Sequence, residues 1–117
     1  MRIVIEAKPE KDMRYAGTLG DWFINARGDL IIQVVGIDPF SHDQAFLVAL
    51  HELIEAKLCQ KRGITVDQVD EFDLAFKDEG EPGDQWNSPY RKEHRFAMLI
   101  EHLMAHELGI VGYGAVE

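Results

Sequence analysis

The hydrophobic period of this chain changes once, at Gly36, and that change limits what the chain can fold into. Upstream, residues 2–7 are short and apolar. Residues 22–26 and 30–35 are β-rich runs joined by Arg27-Gly28-Asp29, which has the composition of a hairpin turn. The second of these, Leu30-Ile31-Ile32-Gln33-Val34-Val35, is apolar enough to be largely buried. Downstream the apolar spacing becomes helical. Ser41 followed by Gln44 has the form of a capping box, and Lys61-Arg62-Gly63 reads as a basic last turn closed by glycine, which bounds a first helix over 41–62. Thr65 and Gln68 repeat the capping pattern and open a second over 65–77. Ser88-Pro89 supplies a cap and a first-turn proline for a third over 89–108. Residues 78–84 form an acidic loop rich in breakers, and the tail 110–117, with Tyr113, is expected to pack down loosely. The expected fold class is α+β, a small antiparallel N-terminal sheet followed by three helices packed on one face, all in one domain over 1–117.

Charge and composition remove several functions. The chain carries 12 Lys and Arg against 21 Asp and Glu, a formal net charge of −9. No basic run is present to neutralise phosphates, so nucleic acid is not an expected partner. No stretch approaches the roughly 20 apolar residues of a membrane span, and the first twenty residues lack the apolar core of a signal peptide. The lone cysteine, Cys59, permits no internal disulfide. That favours a reducing compartment and a cytoplasmic location. An acidic surface serves solubility, or some of its carboxylates converge on a cation, and only their positions separate the two.

Those positions follow from about 100° of rotation per helical residue. On the first helix Leu47, Ile54 and Leu58 lie to one side of His51 and Val48 to the other. Glu55 sits one turn on, beside His51, and Glu52 falls at the edge of the stripe. On the third helix Ala97, Met98, Met104, Ala105 and Leu108 define an apolar face with His94 and Glu101 at its centre. On the second, Val66, Val69, Phe72 and Phe76 surround Asp73. Three helices thus each turn an acid inward, and two add a histidine. An isolated buried carboxylate costs several kcal/mol or takes up a proton. A divalent cation offsets such charges and uses neutral imidazoles as ligands. His51, Glu55, His94, Glu101 and Asp73 are the residues expected to converge on it, Glu101 and Asp73 as supports or additional ligands. The bland alternative is a polar network in which His51 and His94 only hydrogen-bond Glu55 and Glu101. His102 and His106, off the main stripe, are expected at the surface, Cys59 as a small buried hydrophobe, and Met98 and Met104 in the core. Trp86 either closes over the site or pins its loop.

His51-Glu52-Leu53-Ile54-Glu55 is an HExxE, and it resembles the HExxH of zincin metallopeptidases with glutamate in place of the second histidine. The resemblance implies zinc held by His51 and Glu55, a third ligand from a later helix that His94 supplies, and Glu52 as the general base toward a metal-bound water. A carboxylate in the second position suits zinc less exclusively and admits manganese, iron or magnesium. The substrate implied is a peptide or a small molecule. Gly20-Asp21-Trp22 upstream, with Pro89-Tyr90 near His94, is also similar to small phage-encoded proteins. A different resemblance pairs Glu52 and Glu55 with Asp70 and Asp73, like the ExxE and ExxD pairs of magnesium-dependent nucleotide pyrophosphohydrolases. Asp70 stands where that family has glutamate, and the β-rich first third does not suit its all-helical fold. The remaining alternative is a non-enzymatic accessory or interaction protein built around the polar network.

Overall fold

The structure, a computed structural model, describes residues 1–15, 17–36, 42–76, 80–110 and 113. Strands β1 (Ile3–Lys8), β2 (Gly20–Ile24) and β3 (Leu30–Val35) come first, then helices α1 (His42–Lys61), α2 (Val66–Ala75) and α3 (Arg91–Glu107). Short 3-10 turns fall at Glu10–Asp12 and Pro82–Asp84. This is the α+β arrangement the change of period implies, a three-stranded sheet followed by three helices.

The sheet is mixed rather than wholly antiparallel, which corrects the expectation from sequence. Its order is β1-β3-β2. β2 and β3 form an antiparallel hairpin with Trp22 opposite Ile32, whereas β1 pairs parallel to β3 with Ile5 opposite Ile32. The cause is the connection over 9–19. It turns the chain back so that β2 runs against β1 one strand-width away, and the apolar β3 returns through the gap. The hairpin turn is local chemistry. Asn25 Oδ1 accepts from the amides of Arg27 and Asp29 at 2.9 Å each, and Gly28 supplies the positive φ, 82°.

Trp22, Leu30, Ile32 and Val34 share one face of the sheet and join Ala45, Ala56, Cys59 and Val69 in the core. Small residues on α1 let it lie close to the sheet. Gly20 extends this, because a Cβ there would overlap the Val48 side chain. α1 and α2 contact the sheet, while α3 packs mainly along α1 as an outer layer. α1 is therefore buried on two sides, which brings its His51 edge under α3.

Helix ends follow the expected chemistry in part. The Thr65–Gln68 capping box at α2 is present in both directions. Ser88 does not cap α3 directly. Its hydroxyl accepts from the Tyr90 amide at 3.3 Å, and the helix starts at Arg91, two residues later than expected, with Tyr90 as N-cap. The expected Ser41 cap, Lys77 at the end of the expected second helix, residues 78–79 of the acidic loop and residues 111–112 and 114–117 of the tail lie outside the described residues.

Candidate metal centre

α1 offers His51 and Glu55 from adjacent turns, and α3 offers His94 and Glu101 from turns that face them. All four side chains are buried, with between 4% and 7% of their surface exposed, a level at which unpaired charges are not tolerated. His51 Nε2, Glu55 Oε2 and His94 Nδ1 close a triangle whose edges are 3.0, 2.9 and 3.2 Å. A zinc ion with bonds of about 2.0–2.1 Å at tetrahedral angles spaces its ligand atoms by about 3.3–3.4 Å. The triangle thus needs to open by only a few tenths of an ångström to seat an ion. In its absence Glu55 Oε2 can accept from both imidazoles, which leaves the two ring nitrogens crowded against each other. Two ring nitrogens and one carboxylate oxygen all point at one another, and a nitrogen–nitrogen contact can share only one hydrogen.

The remaining atoms of these side chains are engaged in the way metal ligands usually are. His51 Nδ1 donates to Glu101 Oε1 at 2.7 Å, and the other Glu101 oxygen accepts from the Tyr113 hydroxyl. Glu55 Oε1 accepts from the Trp22 indole at 3.2 Å. Burial opposes charge on His51, but the hydrogen bonds to Glu101 and Glu55 outweigh it and raise its pKa. In the same way, burial pushes Glu55 up while the two imidazoles pull it below the ordinary carboxylate range. The His51 and His94 rings meet edge-on, with centroids 4.7 Å apart.

The triangle lines a cleft of about 980 Å³ whose walls include Gly20, Glu52, Asp73, Glu81, Asp84 and Tyr90. Glu52 stands against Gly20, where its carboxyl Oε1 comes within 3.0 Å of the position a Cβ would take. Burial first, and then the Glu55 charge, raise the Glu52 pKa well above the usual carboxylate value. Its carboxyl shares the cleft with the His51–Glu55–His94 triangle, and burial there favours the protonated form. Among the described residues lining the cleft, the one guanidinium, Arg14, is already committed. It donates to Asp21 at 2.6 and 3.1 Å and to Asp70 at 3.3 Å.

The structure therefore brings His51, Glu55 and His94 together and sets Glu101 behind His51. Asp73 lines the same cleft but does not reach the triangle; the Tyr90 hydroxyl donates to it at 2.5 Å. Asp70 is bound by Arg14, so the paired acids Glu52, Glu55, Asp70 and Asp73 do not meet at one point. His106 is exposed and His102 lies edge-on to Tyr113. Cys59 is fully buried, and burial pushes its thiol up to about 12, which leaves it unreactive. Met98 lines the cleft rather than the core, and Trp86 is 86% exposed. Sequence reasoning missed Trp22, Tyr90, Asp84 and Tyr113. Trp22 had a signal in its β alternation, but nothing local shows which helix residue crosses it. No protein-family model, curated protein or solved structure matches the chain, so what the site does is read from its geometry.

Proposed function

We propose that the chain is a metal-dependent hydrolase of zincin-like design, holding one divalent cation between His51, Glu55 and His94. The supporting observation is the triangle itself, three ligand atoms within 3.2 Å of one another, with Glu101 and Trp22 behind two of them. Two nitrogens and one oxygen favour zinc and admit manganese, iron or magnesium. When bound, the metal supplies a Lewis acid and lowers the pKa of a coordinated water. The charge of a bound cation would favour the ionised form of Glu52, which could then accept the proton of the attacking water and return it to the leaving group. Glu101 holds the His51 ring so that Nε2 faces the ion, and Trp22 fixes the Glu55 carboxylate. The cleft admits a peptide or a small molecule. Its walls are acidic and Arg14 is neutralised, which suits neutral or cationic substrates better than polyanions. A reducing, cytoplasmic setting agrees with the lone buried cysteine.

Glu52→Gln tests the reading. It is expected to keep its zinc and to lose hydrolysis of a responsive peptide or ester by about 10²- to 10⁴-fold, the usual contribution of a positioned acid–base group. Unchanged turnover removes Glu52 from the chemistry. Zinc-loaded parent protein that turns over no member of a broad peptide and ester panel leaves a metal-binding accessory protein instead.

A further inference from the structure

His94 Nε2 is the one buried side-chain nitrogen or oxygen among the described residues that finds no hydrogen-bond partner. An orphan of this kind costs about 1–3 kcal/mol in a finished site, yet the ring around it is tightly held. Gly83 lies flat against the imidazole, so closely that a Cβ would fall 2.5–2.9 Å from three ring atoms. The Arg91 side chain donates to the Asp84 carbonyl at 3.3 Å, tying the 3-10 turn to the helix that carries His94. These contacts leave the Asp84 carboxylate as the neighbour of the orphan, with Oδ1 3.7 Å from Nε2, just beyond hydrogen-bond length.

We infer that Asp84 is the positioning residue for His94, its carboxylate accepting from Nε2 once Nδ1 is committed to the metal. This rests on the metal reading above. With Nδ1 turned to a cation, the ring hydrogen sits on Nε2 and faces Asp84. A displacement of under an ångström by a half-exposed side chain then completes the bond. All three ligands would then have a partner behind them: Glu101 for His51, Trp22 for Glu55 and Asp84 for His94.

The test is zinc affinity by competition with a chromogenic chelator for the parent, Asp84→Ala, Asp84→Asn and Glu81→Ala. Asp84→Ala is expected to weaken zinc binding by about 10- to 100-fold, the usual effect of losing such a partner. Asp84→Asn keeps an acceptor and is expected to lose less. Glu81→Ala removes a carboxyl that lines the same cleft and acts on His94 through space without a hydrogen bond, and it is expected to lose less affinity than Asp84→Ala. In the zinc-loaded parent, nitrogen-correlated NMR is expected to show a slowly exchanging His94 Nε2–H that disappears in Asp84→Ala. Equal losses in Asp84→Ala and Glu81→Ala, or an Asp84→Ala affinity within twofold of the parent, overturn the inference while the metal reading stands. A parent protein that binds no zinc overturns both.

Discussion

Trp22 illustrates how a single residue on the sheet takes part in a site that otherwise belongs to helices. Its indole N–H is the donor to the rear oxygen of Glu55. Trp22→Phe keeps the buried ring and removes that donor. In metal-free protein it is expected to cost about 1–3 kcal/mol of unfolding free energy by denaturant titration, since a buried carboxylate oxygen loses its partner. Gly83→Ala acts on the other flank. Its methyl has to displace the buried His94 ring, so zinc affinity is expected to fall more than tenfold and the metal-free protein to lose about 1–3 kcal/mol, as overpacking does. Asp73 carries a pH signature of its own. Burial raises its pKa to about 6, against the opposing hydrogen bond from Tyr90. Between the ordinary carboxylate value and about pH 6 the folded state therefore binds more protons than the unfolded chain. Asp73 then favours folding below that window and loses that contribution as pH rises through it. Asp73→Asn is expected to flatten this decline in melting temperatures measured from pH 4 to 7; an unchanged slope assigns it to other groups. At this scale the sequence was most informative for helical positions. His51, Glu55, His94 and Glu101 emerge from rotation by 100° per residue, because a helix fixes relative direction locally. Asp84 and Tyr113 do not emerge that way, since turns and tails have no such period and their partners are set by tertiary contact.

Among the elements, α1 organises the molecule. It lies between the sheet and α3, so its apolar residues are spread around most of its circumference and a single amphipathic stripe does not describe it. The centre of its α3-facing side holds His51 and Glu55. Ala45, Ala56 and Cys59, farther round the same helix, are buried in the core with Leu30, Ile32 and Val34 of β3. Gly20 sets the approach to β2. Gly20→Ala would press on Val48 and Glu52 and is expected to destabilise by about 1–3 kcal/mol, as overpacking does. Adding Val48→Ala should recover part of that loss; full additivity of the two changes would show that they do not touch. The hairpin β2–β3 was legible from Arg27-Gly28-Asp29 because its turn chemistry is contiguous. The parallel pairing of β1 was not, since alternation marks a strand without giving its direction, and direction here depends on the route of residues 9–19.

For the whole molecule, the central consequence of the proposed site would be linkage between folding and metal. An ion that binds only the assembled triangle stabilises the fold by RT ln(1 + [L]/Kd), about 2.7 kcal/mol at one hundred times Kd. For a domain of this size that corresponds to a rise of roughly 10 °C in melting temperature, reversed by a chelator. The three side chains come from α1 and α3, with His94 39 residues beyond Glu55 and 43 beyond His51, so a bound metal would tie the outer helical layer to the inner one. The account is tested most directly by elemental analysis of protein purified without chelator, set beside His51→Ala and His94→Ala prepared in the same way. It predicts about one equivalent of zinc or another divalent transition metal per parent chain and a near-complete loss in both variants. Parent protein without metal, unable to take up zinc when it is added back, would contradict it.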